Sequence, residues 1–278
     1  MRCTAFAPIA AGLVLAACAD NKTPPPRQGY DAGGLPQLRC APNLDGKIEA
    51  KELEPATGVA VKLLVSPPGK GRTVDLVGAD RGGKVVWDLG ADYADDQLAT
   101  IQAGEMSEKW YLGTFPGATF AAPIDIAGNV EGVYAYSQGG ILLLGLASRD
   151  PDGPGGKTLL VYDPPIAIYR FPLEVGKSWI STGTVTNGTL RGQPYAGKDT
   201  YEVKVDGQGE AILPDYTFSQ VLRVRTTVTV SPSAGAPLVR RQTSFLYECF
   251  GEVARATSQD GETHDDFTNA AELRRLGL

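Results

Sequence analysis

The chain holds one histidine, His264, set beside Asp265 and Asp266. A nucleophilic triad or a zinc cluster requires more partners than that at usable spacing. Gly-x-Ser-x-Gly elbows, phosphate-cradling P-loops and dinucleotide fingerprints do not occur. Carboxylates are plentiful, and Asp95-Asp96 and Asp265-Asp266 stand next to each other. Glycan hydrolysis uses two carboxyl groups about 5–10 Å apart across a cleft. With 32 acidic residues, adjacent pairs arise by chance. No catalytic residue is assigned, and the expectation is a non-enzymatic protein, with a glycan-active enzyme as the catalytic alternative. A formal net charge of −6 argues against nucleic acid as a partner and against a basic patch as the means of membrane attachment.

Residues 41–53 run Ala-Pro-Asn-Leu-Asp-Gly-Lys-Ile-Glu-Ala-Lys-Glu-Leu. This run resembles the EF-hand calcium loop, which needs oxygens at alternate positions, a glycine at the sharp turn and a bidentate glutamate at the end. The resemblance implies Ca²⁺ ligands from Asn43, Asp45, the Lys47 carbonyl, Glu49 and Glu52, with Gly46 at the turn and Ile48 as the apolar position after it. It departs from the family at its first ligand, where Ala41 stands in place of an aspartate, with Pro42 restricting it further. Gly33-Gly34-Leu35-Pro36 leaves no helix before the loop. The structural alternative is a turn at Asp45-Gly46 leading into a short helix over 48–54. A calcium-dependent surface module is thus a second functional reading, with Ca²⁺ as its only cofactor.

The N-terminus opens with Arg2, continues with an apolar run from Ala5 to Ala17, and reaches Leu15-Ala16-Ala17-Cys18. The apolar run is shorter than the roughly 20 residues a membrane span needs. It resembles a secretory signal ending in the lipobox of bacterial lipoproteins. That resemblance implies a signal peptide over 1–17, acylation of Cys18 (palmitate being a usual chain), and attachment to a membrane through lipid. Ala19, where an aspartate would favour the inner membrane, points to the outer one. The following stretch to residue 39 carries Pro24-Pro25-Pro26 and Gly33-Gly34 and reads as a tether. With Cys3 removed and Cys18 acylated, Cys40 and Cys249 remain, and in an oxidising compartment a disulfide between them is the expectation.

From about residue 58, short runs of Val, Ile, Thr, Tyr and Leu alternate with Gly, Pro, Asn and Asp clusters, the pattern of antiparallel strands joined by hairpins. Asn187-Gly188, Asp206-Gly207, Asp260-Gly261, Gly82-Gly83 and Gly139-Gly140 read as turns. Period two is clearest in 201–205 and 221–230, where Leu222, Val224, Thr226, Val228 and Val230 share one face while Arg223, Arg225 and Thr227 share a wet one. The expected fold is mainly β: an antiparallel curved sheet, sandwich or half-barrel over 40–278, with short helices near the EF-like loop and at the C-terminus, 269–276. Pro151-Asp152-Gly153-Pro154-Gly155-Gly156 is either a hairpin loop or a subdomain boundary.

Residues 171–179 and 213–224, with Tyr247-Glu248-Cys249-Phe250-Gly251-Glu252-Val253, resemble uncharacterised secreted bacterial β proteins. That resemblance implies a curved antiparallel sheet and no activity. Trp179, Phe218 and Tyr247 are expected in the core rather than in a ligand stack. The leading functional expectation is a lipid-anchored envelope protein whose β domain binds a protein, glycan or lipid partner. An apolar, unfilled concave face would favour lipid carriage; a filled interior would favour a structural role.

Overall fold

The structure, a computed structural model, describes residues 40–278. The expected signal peptide, Cys18 and the expected tether lie outside the described residues. After β1 (Lys47–Ile48) come β2 (Ala60–Val65), β3 (Arg72–Thr73), β4 (Ala79–Asp80), β5 (Val85–Asp88) and β6 (Gln97–Gln102). β7 (Phe120–Pro123), β8 (Val130–Ser137), β9 (Gly140–Ser148), β10 (Leu159–Arg170), β11 (Leu173–Glu174) and β12 (Ser178–Leu190) follow. β13 (Gln193–Ile212), β14 (Thr217–Pro232), β15 (Leu238–Tyr247), β16 (Gly251–Ser258) and β17 (Asn269–Leu276) complete the chain.

Most of these strands form one curved sheet in the order β6-β2-β17-β16-β15-β14-β13-β12-β10-β9-β8-β7. Every neighbouring pair on that path is antiparallel. An antiparallel bridge between Gly104 and Ala121, just beyond β6 and within β7, brings the two edges together. The result is a nearly closed barrel, which deals with the unpaired edges that an open sheet would expose.

The predicted alternation of β14 is present, but both faces are covered. Leu222 and Val224 pack inside the barrel with Ile48, Leu173, Trp179, Val203, Val205 and Leu246, and this cluster fills one end of the lumen. On the opposite face, Arg223 and Arg225 are not wet. They donate to the two carboxylate oxygens of Asp206, each at 2.7 Å, and Arg223 lies over the Trp87 ring. The segment that carries β3, β4 and β5 covers this side with Val74, Leu76, Trp87 and Leu89 against Phe218, Phe245, Val253 and Ala254. The residues between β6 and β7 cover another part with Met106, Tyr111 and Phe115.

Three further sequence expectations change. The C-terminal 269–276 is strand β17, not a helix. Its Ala, Glu, Leu and Arg content favours helix, but propensity is a weak prior; hydrogen bonding to β16 and β2 and burial of Ala270 and Leu273 decide instead. Near the EF-like loop the expected short helix over 48–54 is present but shortened, among the described residues, to a 3-10 turn, Ala50–Glu52. Asn187-Gly188 and Asp206-Gly207 are not turns but lie at register shifts inside β12 and β13. At Gly207 the reason is close approach: a Cβ there would stand 3.2 Å from the Trp87 ring, and one at Gly209 would stand 2.3 Å from the Val85 carbonyl oxygen. The glycines let β5 lie alongside β13. Asp260-Gly261 and Gly82-Gly83 do lie between strands, Gly139 lies in the turn just before Gly140, the first residue of β9, and 150–156 joins the paired strands β9 and β10 within one sheet.

Candidate functional site: the barrel lumen

Beyond the packed end, the barrel holds a partly open cavity of about 610 Å³. Along β14 the packed residues Leu222 and Val224 give way to Thr226, Val228 and Val230, which line it. Its apolar wall comes from strands on both sides of the seam, with Val61, Ile101, Phe120, Ile141 and Leu143 among the residues. Its polar wall lies on three consecutive strands, β15 to β17, through Arg240, Gln242, Ser244, Glu252, Arg255 and Arg274. The volume falls within the about 300–1,000 Å³ usual for ligand sites, which are mostly apolar with a few placed polar groups.

Tyrosines from three more strands complete the lining. Tyr134 on β8 stacks on Phe120 with centroids 4.9 Å apart, and Tyr169 on β10 and Tyr201 on β13 face the same space. Burial raises all three phenols above their ordinary value, Tyr134 to about 12, while Arg255 pulls each one down. Tyr162 on β10 donates to Asp199 Oδ2 at 2.5 Å. Burial raises the Asp199 carboxyl, opposed by that hydrogen bond. Burial also works against charge on Arg255, but Glu252 outweighs it and holds the guanidinium above its ordinary value.

The sequence-nominated residues lie elsewhere. Asn43, Asp45, Lys47, Glu49 and Glu52 are gathered at the packed end of the barrel. β1 pairs with β11, Ile48 and Ala50 are buried, and the Tyr136 hydroxyl donates to the Ala50 carbonyl at 2.8 Å. Glu52 is 3% exposed, and its two carboxylate oxygens accept from Asn43 Nδ2 and from the Glu49 backbone N–H, each at 2.9 Å. Asn43 Oδ1 accepts from the Asp45 N–H, and Asp45 from the Lys47 N–H. Glu49 points outward, where Lys47 and then Lys51 hold its carboxyl below the ordinary range. The side-chain oxygens on this loop are thus turned largely toward protein N–H groups and lysines. Among the described residues no group of three His, Cys, Asp or Glu side chains could hold a metal ion.

Cys40 and Cys249 form a disulfide with Cα atoms 5.5 Å apart. It ties the loop to the β15–β16 turn, where the Cys249 N–H also donates to the Glu52 carbonyl at 2.8 Å. Sequence reading missed Glu248, 2% exposed, whose carboxylate accepts the N–H groups of Asn43 and Leu44 at 2.6 and 2.7 Å. Its place beside Cys249 was the available signal. Trp179 and Phe218 are buried, and Tyr247 packs on Phe218 at 4.9 Å. The adjacent carboxylates are engaged by arginines: Asp95 and Asp96 by Arg72, Asp265 by Arg241 and Asp266 by Arg225. His264 is exposed beside Glu262.

No family model, no curated protein and no solved structure matches the chain.

Proposed function

We propose that this chain is an exported, lipid-anchored, non-enzymatic binding protein whose barrel takes up a small amphiphilic molecule. One observation carries this reading: apolar side chains such as Val61, Val228 and Val230 line a cavity of about 610 Å³. An interior of that size, with one polar wall, suits a ligand that has both an apolar body and a polar end. The lipobox ending at Cys18 supports the anchor, and acylation there would keep the barrel beside a membrane that supplies such molecules.

The test is native mass spectrometry of the chain from residue 18 onward with Cys18→Ser, followed by titration with a neutral environment-sensitive fluorophore. The expected result is a ligand-sized added mass that denaturation releases, or one saturable fluorophore site per chain. Filling the lumen by Val228→Trp should weaken that site while the unfolding transition remains cooperative. A bare polypeptide with no saturable site would overturn the reading. A clickable palmitate analogue should label the wild-type chain in cells, and equal labelling of Cys18→Ser would remove the anchor.

A further inference from the structure

The polar wall of the lumen places two like charges side by side. Arg255 on β16 and Arg274 on β17 are direct cross-strand partners, and both line the cavity. Like charges directly opposite on a ladder destabilise it. Each guanidinium has one carboxylate: Arg255 Nε donates to Glu252 at 2.8 Å, with Nη2 as close to the same oxygen, and Arg274 Nε donates to Glu272 at 2.5 Å. Arg274 Nη2 adds a bond to the Ile124 carbonyl at 3.2 Å.

Nη1 of both arginines has no acceptor among the described residues, and neither atom is sealed inside protein. The hydroxyls of Tyr134, Tyr169 and Tyr201 also lack a partner among the described residues and are not sealed. Arg255 acts electrostatically on all three. Donors without acceptors therefore gather in a cavity whose other wall is apolar. Glu252 and Asp199 are the carboxylates on the cavity surface, while Asp260, which holds Arg240, and Glu272, which holds Arg274, stand outside its lining. Of the two lining carboxylates, Asp199 is the farther from neutralising the arginines, since burial favours its protonated form.

On the ligand-binding reading above, we propose that the lumen takes a single-chain amphiphile with an oxyanion head, a carboxylate or a phosphate. The head sits between Arg255 and Arg274 and the tail lies along the apolar wall. An oxyanion there accepts the two open Nη1 groups and relieves the repulsion between the guanidiniums, whose planar forks suit carboxylate and phosphate oxygens. Phenol hydroxyls complete the head site without adding charge.

Calorimetric titration of the same soluble chain tests this with dodecanoate, dodecyl phosphate, dodecanol and inorganic phosphate. Both anionic amphiphiles should bind at least about tenfold more tightly than dodecanol, as charge-assisted hydrogen bonds require. The better of the two identifies the head. The paired substitution E252Q/R255Q removes the charge without stranding Glu252; it should abolish the preference, so that both anionic amphiphiles bind this variant no more tightly than dodecanol does. R274K keeps the charge but loses the fork and should reduce the preference severalfold, which gives a second reading should the paired variant not fold. Equal binding of acid and alcohol by the wild-type chain would overturn the proposal, as would a preference unchanged in the variants. Inorganic phosphate binding as tightly as dodecyl phosphate would do so too, since the tail would then contribute nothing. Binding of the neutral fluorophore without anion preference sinks this proposal alone; no binding of any probe sinks the ligand-binding reading with it.

Discussion

Gly104 and Ala121 exchange two backbone hydrogen bonds, 2.8 and 3.0 Å long, across the seam where β6 meets β7. Every other pair of neighbouring strands shares at least two ladder partners, so this single bridge makes the seam the weakest link in the circumference. Gly104→Pro deletes one of the donors and should cost about 1–2 kcal/mol. It should also speed deuterium uptake at 97–104 and 120–123 before the rest of the sheet responds. Gly104→Ala should be nearly neutral, because a Cβ there finds only the Lys109 side chain, at 3.5 Å. Equal exchange rates in the wild type and the proline variant would show that the seam is closed by other means.

Asp199 is 7% exposed, and its Oδ1 has no hydrogen-bond partner among the described residues. Burial raises its pKa above that of the unfolded chain, opposed by the Tyr162 hydroxyl. The folded chain therefore binds this proton more tightly than the unfolded one. Stability from this group is greatest below the ordinary aspartate value of about 3.9 and falls as pH rises through the raised one. Asp199→Asn keeps an acceptor for Tyr162 and removes the charge. Near pH 7 it should stabilise by on the order of 1 kcal/mol, the scale of an unsatisfied buried polar group, and the gain should vanish in acid. Thermal melts of both proteins across that range check it, and a pH-independent difference would contradict it.

Asp96 stands between two buried guanidiniums, bonded to Arg72 at 2.8 Å and to Arg275, which is 1% exposed. Arg275 also donates to the Leu89 and Ala91 carbonyls, and both arginines lie over the Tyr93 ring. Removing one member of a buried ionic group costs about 3–5 kcal/mol because it strands the remaining charge. Asp96→Asn should approach that loss in urea denaturation. Its neighbour Asp95 pairs with Lys70 and Arg72 at the surface, and Asp95→Asn should lose far less. Comparable losses at the two positions would contradict the assignment.

The Cys40–Cys249 disulfide spans 209 residues of chain and fastens the segment that fills one end of the lumen. Reduction, or Cys40→Ala/Cys249→Ala, should cost about 2–5 kcal/mol in guanidinium unfolding, mostly by freeing the unfolded chain. Loss of protection should begin at 43–53, since Asn43, Leu44 and Glu52 are bonded to the turn that carries Cys249. Loss spread evenly over the sheet would point to a different anchoring of this segment.

Much of the β class was legible because a period of two and turn residues are local properties of the chain. The face shared by Leu222, Val224, Thr226, Val228 and Val230 was readable in this way, and the cysteine pair followed from counting. The C-terminal strand was not readable, because 269–276 has helix-forming composition and becomes a strand only where β16 and β2 offer it partners. Nor was the dry outer face of β14, since Asp206, Asp266 and Trp87 come from other parts of the chain to cover Arg223 and Arg225.

By itself, then, the sequence determined an antiparallel β chain with a sulfur pair and marked which side chains share a face. Only the tertiary structure decided that this face lines a cavity. It set Arg255 opposite Arg274 and Tyr169 and Tyr201 in the same lumen, because cross-strand register and barrel closure join residues far apart in sequence.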